Sequence, residues 1–529
     1  MNESVSPSSS SRVLAWVERT GNRLPDPVII FLYLILALIG LSVLADWLSV
    51  SAMHPTQLDG AGNPKIEQAV SLLAPDNIQR LWVDMPKTFT HFHPLGYVLV
   101  VMLGAGVAER SGLFASAIRA ALRKAPKHLL TPFVAMIAML SNHAADAGYV
   151  VVIPLAAIIF AAAGRHPILG IAVGFAGVSG GFSANFAPGQ LDALLFGITE
   201  AAYEASSIDA GWTMNIAGNW WFISALLALY LPVIWFVTDY IIEPRLGAWS
   251  PDSDSDQASY QQSDEPLTEA QSRGLSHAGL ALLGVIALWA FMVFGPGTPL
   301  LNDGPEMDGA PWYTLASPFF KSLVAAFLIL FLVAGWFYGK AAGTIRSSQD
   351  LVDMMSESMK DLGYYLVLAF FAAHFVAMFG WSNLGLITAV HGADVIRESG
   401  LPLPAVLGMI VLFAGLLNLF VGSASAKWAL LAPVLVPMLM LLGVSPDGAT
   451  AAYRVGDSAT NIITPLMVYF PLVLVFAQRW QKDFGLGSLT AMMIPYSIWM
   501  LITGTLMMML WLFLGLPLGP GAPAEIVIP

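Results

Sequence analysis

Long apolar runs, broken at a few places by small, polar or proline residues, dominate the pattern along this chain. A helix needs about 20 apolar residues to span a bilayer, and runs of nearly that length recur throughout the sequence. The pattern predicts an all-α polytopic membrane protein with about nine transmembrane helices. The predicted spans are 28–48, 95–107, 168–188, 216–240, 279–294, 323–337, 362–381, 449–476 and 489–516.

Two further apolar segments are interrupted near their middle. In segment 129–162 the break is Ser141-Asn142-His143, and in segment 403–442 it runs from Gly422 to Ser425. Backbone freed by such a break is tolerated in a membrane only where it is buried in protein or lines a cavity. The two segments are therefore predicted to be re-entrant helical hairpins.

The order of parts repeats in the two halves of the chain. Each half has a hairpin, then a span broken by Gly and Pro, then a long span, and Gly181-Phe182-Ser183-Ala184-Asn185 resembles Gly456-Asp457-Ser458-Ala459-Thr460. The distribution of Lys and Arg places the N-terminus in the cytoplasm, the C-terminus in the periplasm, and the two hairpins on opposite sides. We therefore predict an inverted-topology repeat within one integral domain, 1–529: a first half 24–242, a cytoplasmic linker 243–275 and a second half 276–517.

Composition supports this class. The chain is 57% hydrophobic and 11% charged, whereas soluble chains carry roughly 25% charged residues. It contains no cysteine, which excludes disulfides and thiolate metal sites. The net charge of -12 resides mostly in loops and gives no indication of nucleic-acid binding. No phosphate-binding loop of the form GxxxxGK[ST] is present, so direct ATP drive is not expected.

Charged and aromatic residues inside the second half are candidates for substrate binding. Arg454 and Asp457 are three residues apart and would share a helix face. They either form a structural ion pair, or Arg454 offers its planar guanidinium to a substrate carboxylate. Trp428 either stacks on an aromatic substrate or only packs.

Neutral oxygen-bearing side chains beside the breaks are candidate sodium ligands, because Na⁺ sites in transporters use such groups at unwound helices. They are Asn142, Ser183, Asn185, Ser423, Thr460 and Asn461. Alternatively, the hydroxyls only bond backbone carbonyls, and coupling runs through H⁺ on Asp192 or Asp457. His143 and Asp146 resemble a metal pair without a visible third ligand, so no metal centre is predicted.

These residues resemble the AbgT family, the p-aminobenzoyl-glutamate transporters. The motifs are Ser425-x-x-Trp428, Pro446, Arg454-x-x-Asp457 and Pro465, with SNHAADAGYVV, GQLDALL and VERTGNRLPDPVIIF. The resemblance implies a homodimer of nine-span protomers with two hairpins in the bacterial inner membrane. It also implies transport of folate breakdown products of the aminobenzoyl-glutamate type and, in some members, export of sulfonamides. The matching substrate-site residues are Asp192, Ser425, Trp428, Pro446, Arg454, Asp457 and Pro465. No cofactor is implied beyond a coupling ion, Na⁺ or H⁺.

Other functions are weighed beside this one. A dicarboxylate importer of related architecture fits the hairpins, although Trp428 and Arg454 favour an aromatic acid. An intramembrane aspartyl enzyme would use Asp457 and Asp192, but the sequence lacks the paired Gly-x-Gly-Asp motif. A channel is the third alternative, and the direction of transport stays open.

Overall fold

The computed structural model of the chain is mostly helical, which confirms the predicted all-α membrane class. It describes residues 26–124, 126, 129–144, 147–212, 215–247, 249, 266–302, 304, 307, 309–464 and 466–528. Asp146 and Pro465, both named from the sequence, lie outside these residues. The α-helices of the first half are α1 Pro27–Trp47, α2 Pro75–Val83, α3 Met85–Thr90, α4 His93–Arg110, α5 Leu113–Leu122, α6 Leu130–Leu140, α7 Ile153–Ala162, α8 Pro167–Phe175, α9 Gln190–Ser206, α10 Trp220–Phe236 and α11 Glu243–Leu246. Those of the second half are α12 Glu269–Phe294, α13 Trp312–Leu315, α14 Ser317–Lys321, α15 Leu323–Ala342, α16 Ser348–Asp361, α17 Gly363–Trp381, α18 Leu384–Glu398, α19 Leu403–Asn418, α20 Ala424–Leu441, α21 Pro446–Thr460, α22 Phe470–Gln478 and α23 Leu486–Phe513.

Seven of these helices are long and apolar enough to cross a membrane, among the residues that the structure describes. An eighth crossing is possible for α4 with α5, which are bent by 62° at the turn between them. Shorter apolar helices form the first hairpin, the start of the first broken span and one arm of the second hairpin, whereas the other arm, α20, is among the seven. The sequence-based count of nine spans and the sides on which the termini lie stay predictions.

One element departs from the all-helical expectation. Strand β1 (Ser51–Leu58) pairs with strand β2 (Pro64–Gln68) as an antiparallel ribbon between α1 and α2. The two strands lack a regular alternation of apolar and polar residues, so the sequence pattern did not predict them. The ribbon packs on α18, where Ala52 and Ala69 bury themselves against Ile387.

Both interrupted segments break where the sequence predicts. In the first, α6 passes into a 3-10 turn, Ser141–Ala144, and the chain resumes as a π-turn, Gly148–Val152, that continues into α7. In the second, α19 ends at Asn418 and α20 begins at Ala424. The Ser423 hydroxyl accepts from the Ala426 N–H at 3.3 Å, so this residue caps the new helix.

The two broken spans are also alike. Helix α8 continues as a π-turn, Ala176–Gly180, and then nine irregular residues, 181–189, lead to α9. Helix α21 is followed by another nine residues, 461–469, before α22. The two halves therefore share a helix that stops inside the protein and restarts after a gap of the same length.

The second hairpin lies close against the second broken span. At Gly456 of α21, a Cβ would lie 1.9 Å from the Val411 carbonyl oxygen of α19. Only glycine allows two helix backbones to approach so closely, as small residues do at membrane helix interfaces. This contact fixes α21 against the hairpin and so positions the charged residues that it carries.

Helix α9 was not expected. Asp192 follows a Pro-Gly break in the sequence, and the structure places it in the first turn of α9. Its carboxylate accepts from the Gly189 N–H at 2.8 Å. An acidic group there accepts from an otherwise unpaired N–H donor and interacts favourably with the positive end of the helix dipole.

The predicted linker 243–275 is helical at both ends, because α11 begins at Glu243 and Thr268 caps α12.

Candidate substrate site

A cavity of about 390 Å³ lies where the two hairpins and the two broken spans meet. The first hairpin contributes Asn142 and Tyr149, and the second contributes Gly422 and Ala424. Asn461 borders it from the break after α21. The two predicted hairpin breaks therefore face one shared space. The other lining residues are mostly apolar: Val98, Val101, Met102, Phe182, Leu191, Leu194 and Leu362, together with Gln190 and Tyr365.

The polar groups on this wall are neutral, among the residues that the structure describes. Asn142 donates to the Met139 carbonyl at 2.8 Å, and Asn461 donates to the Ser179 hydroxyl at 3.0 Å. Tyr149 stacks on Tyr469 with ring centroids 4.3 Å apart. The cavity thus combines an apolar wall, an aromatic pair and amide groups, which is the usual lining of a small-molecule site.

The two broken spans contact one another directly beside this cavity. The Ser458 hydroxyl donates to the Gly180 carbonyl at 2.5 Å and accepts from the Ser183 N–H at 3.3 Å. Ser183 and Ser458 are the matching residues of the two similar sequence motifs. Their contact satisfies backbone groups that the irregular segments leave unpaired.

Arg454 does not pair with Asp457, so the first of the two alternatives that their spacing left open is wrong. Arg454 Nη1 lies 2.7 Å from Asp192 Oδ1, across the two halves of the protein, and both side chains are buried. Asp457 instead forms an ion pair with Lys427 of α20, and Lys427 also donates to Asn418 Oδ1. Spacing along one helix allows an intrahelical pair, but a buried charge takes whichever opposite charge packing brings to it.

Lys427 and Asn418 are the residues that sequence reasoning missed. Asn418 Nδ2 donates to the Asp457 carbonyl at 2.7 Å and to Thr460 Oγ1 at 3.0 Å. These bonds tie both arms of the second hairpin to α21. A lysine inside an otherwise apolar run was the available signal, since a lone charge there needs a partner.

Trp428 is fully buried and does not line the cavity. Its ring stacks on Tyr453 with centroids 4.5 Å apart, and its Nε1–H donates to Thr199 Oγ1 at 2.9 Å. In this conformation the packing interpretation holds, and the stacking partner is a residue of α21. Ser425 lies near the cap, with its hydroxyl 3.3 Å from that of Ser423, and Pro446 is the first residue of α21.

A second, much smaller space lies on the other side of α9. This chamber has a volume of about 10 Å³, roughly that of one water molecule. It is bordered by Asp192, Leu195, Phe196, Thr199, Asn215, Ile216, Gly218, Asn219, Asp447, Thr450 and Arg454. The Asp447 carboxylate accepts from Trp212 Nε1 at 2.7 Å. Asp192 and Arg454 thus border this small chamber and not the large cavity.

The six candidate sodium ligands divide among different environments. Asn142 and Asn461 line the large cavity. Thr460 accepts from Asn418, which in turn accepts from Lys427. Ser423 caps α20, and Asn185 Oδ1 accepts from the Phe186 N–H at 3.1 Å. Ser183 is buried, and its hydroxyl has no partner in the part of the chain that the structure describes. Within those same residues no group of three or more His, Asp or Glu side chains could hold a metal ion.

Comparisons with known proteins agree on one relationship. The model of the AbgT transporter family matches residues 12–526. The p-aminobenzoyl-glutamate transport protein of Escherichia coli (strain K12) is 37% identical over 522 residues, which is 98% of each chain. The fold is similar to the crystal structure of the Alcanivorax borkumensis YdaH transporter, with a TM-score of 0.85 and 41% identity over 94% of this chain and 100% of that one. It is also similar to Neisseria gonorrhoeae MtrF, described as illuminating a class of antimetabolite efflux pumps, with a TM-score of 0.87 and 40% identity over 97% of this chain and 100% of that one.

Proposed function

Because the chain belongs to the AbgT transporter family, we propose that it is an ion-coupled secondary transporter of folate breakdown products of the p-aminobenzoyl-glutamate type. Sulfonamide antimetabolites are the second substrate class in this proposal. Membership makes the chain a multi-span membrane transporter and not an enzyme, so the intramembrane aspartyl alternative is wrong. The bacterial inner membrane is its proposed location, with the N-terminus cytoplasmic and the C-terminus periplasmic.

The observation that carries the proposal is the cavity between the two hairpins. Its volume of about 390 Å³ falls in the range of roughly 300–1,000 Å³ that small-molecule sites occupy. Its wall is apolar enough for an aromatic ring and carries amide and hydroxyl groups. Breaks at matching positions of two halves are where transporters of this general design place substrate and coupling ion.

The residues matched to the family motifs support this cavity in our proposal. Arg454 is engaged by Asp192, and Trp428 by Tyr453. For Arg454 to receive a substrate carboxylate, the contact with Asp192 must open, which would couple substrate binding to movement of α9 against α21. Asp457, Ser425 and Pro446 belong to the hairpin and the broken span that border the cavity.

The coupling ion is proposed to be Na⁺, bound near Asn142 and Asn461, because these two candidates line the same cavity. Coupling to H⁺ through Asp192 or Asp457 is the alternative. The homodimer implied by the family resemblance is also a proposal, and native mass spectrometry of the purified protein would test it.

Flux into proteoliposomes with separately imposed Na⁺ and pH gradients tests the function. We expect radiolabelled p-aminobenzoyl-glutamate to move faster than into protein-free liposomes, and only one of the two gradients to drive accumulation. Flux of succinate without flux of p-aminobenzoyl-glutamate would instead identify a dicarboxylate transporter. Flux that no gradient can drive uphill would contradict ion coupling.

A further inference from the structure

We propose that Gln190 and Tyr365 form a neutral donor pair that recognises the oxygen acceptor para to the amine of the substrate. The acceptor is the carboxamide carbonyl in aminobenzoyl-glutamate and the sulfonyl oxygen in a sulfonamide. This inference rests on the proposed function and assigns the feature by which one cavity accepts both classes.

The first support is the state of the two side chains. Both line the large cavity, Gln190 at the start of α9 and Tyr365 in the first turn of α17. Gln190 Nε2 and the Tyr365 hydroxyl are buried and have no hydrogen-bond partner among the described residues. Buried polar atoms are nearly always paired, so an unpaired donor on each of two residues that line one cavity calls for a partner, and an acceptor oxygen of the ligand would supply it.

The second support is the character of these groups. An amide N–H₂ can only donate, and a phenol donates readily, so the pair suits an acceptor oxygen. Neither group is charged, and the cavity lining contains no Lys or Arg among the described residues. Neutral donors suit a neutral carbonyl or sulfonyl oxygen, whereas a carboxylate enclosed without a cation would cost far more.

The third support is the surrounding wall. Leu191 and Leu194 lie beside Gln190 on the cavity face of α9, and Leu362 lies near Tyr365 at the start of α17. Apolar side chains next to two donors match an aminobenzene ring that carries one acceptor group. The shared part of the two substrate classes is this ring with its acceptor, which explains why one pair of residues serves both.

The test measures binding to the purified protein by competition against radiolabelled p-aminobenzoyl-glutamate. The unlabelled competitors are p-aminobenzoyl-glutamate, sulfanilamide, and p-toluidine, which has a methyl group where the other two have an acceptor. The variants are Gln190→Leu and Tyr365→Phe, which remove the donors with little change of volume. Tyr230→Phe is the matched control, because the Tyr230 hydroxyl is also buried and unpaired but lies outside the cavity lining.

We expect each cavity variant to weaken binding of p-aminobenzoyl-glutamate and sulfanilamide by roughly five- to tenfold, the scale of one lost hydrogen bond. Binding of p-toluidine and the behaviour of Tyr230→Phe should stay at wild-type level. If Gln190→Leu does not fold, Tyr365→Phe alone decides. Variants that bind both acceptor-bearing ligands as the wild type does would overturn the inference, while absence of binding to the wild type would overturn the proposed function itself.

Discussion

The two faces of helix α9 border two opposite kinds of polar environment. One face carries Gln190, Leu191 and Leu194 toward a cavity of about 390 Å³ whose described polar groups are neutral. The other face carries Asp192, Leu195 and Thr199 toward a chamber of about 10 Å³ that is bordered by charged side chains. Arg454 and Asp192 are thus held in tight contact at the small chamber, and the larger cavity is bordered by neutral groups.

The difference follows from what each group costs inside a membrane. A buried charge must be paired closely, so Arg454 and Lys427 each lie against a carboxylate, and little space remains around them. An unpaired amide or hydroxyl costs less free energy on burial than an unpaired charge. Such groups can also bind water and then exchange that water for a ligand. The residues of these two ion pairs therefore lie outside the lining of the large cavity.

The most severe way to disturb the charged side is to remove Lys427. Asp457 would be left buried without its cation, and we expect Lys427→Met to lose about 3–5 kcal/mol of stability. The measurement is the thermal unfolding midpoint and folded yield in detergent. Lys427→Met with Asp457→Asn should recover most of this loss, because no charge is then unpaired. A single variant as stable as the wild type would show that the pair is not what holds α20 to α21.

Removing Arg454 should cost less than removing Lys427, roughly 3 kcal/mol. Asp192 keeps the hydrogen bond from Gly189 at 2.8 Å when Arg454→Met takes its cation away. The double variant Asp192→Asn with Arg454→Met should regain folding, whereas Asp457→Asn should not rescue Arg454→Met. The folded yields of these variants show whether Asp192 or Asp457 is the partner of Arg454. Rescue of Arg454→Met by Asp457→Asn would contradict the ion pair between Arg454 and Asp192.

Local signals in the sequence were sufficient to predict where the hairpins break, but not which charged side chains pair with one another. Gly422 and Ser141 mark hairpin breaks because Gly, Ser and Pro interrupt apolar runs. Ser183 and Ser458, which the two similar motifs align, are in contact in the structure, although the alignment alone did not predict it. The partner of Arg454 lies 262 residues away in the chain, and no local rule selects it. Gln190 escaped notice because a glutamine after a Pro-Gly break looks like a loop residue until α9 and the cavity are known.

Two neighbouring leucines separate the two faces of α9 directly. Leu195 is buried against the chamber, so Leu195→Trp should overpack it and cost roughly 1–3 kcal/mol of stability. Leu194 borders the large cavity, so Leu194→Trp should fold normally but fill the space and weaken ligand binding by roughly tenfold or more. Unfolding midpoints and ligand competition on the two variants give the answer. The reverse pattern, with Leu194→Trp unstable and Leu195→Trp unable to bind, would contradict the assignment of the faces.

The smallest change in stability is expected for Asp350, whose carboxylate is in contact with water. It serves as the reference for the buried carboxylates Asp192 and Asp457. Asp350 lies on α16, outside the candidate spans, and accepts from the Ser347 N–H at 2.9 Å and the Arg346 N–H at 2.7 Å. These two backbone hydrogen bonds lower the pKa of Asp350 below its ordinary value of 3.8.

Since the pKa of Asp350 is lower in the folded state, the stabilisation is complete above the unfolded pKa and is lost as the pH falls through the folded pKa. Asp350→Asn should therefore lower the unfolding midpoint slightly at pH 7, and the gap from the wild type should narrow as the pH falls below 3.8. Ser347→Ala removes the hydroxyl of the same cap, which accepts from the Asp350 N–H at 3.2 Å and also helps to lower the pKa of Asp350. Most of its loss should therefore persist in acid, and only a small part should depend on pH. A gap for Asp350→Asn that persists unchanged in acid would mean that the charge of Asp350 contributes nothing to the cap.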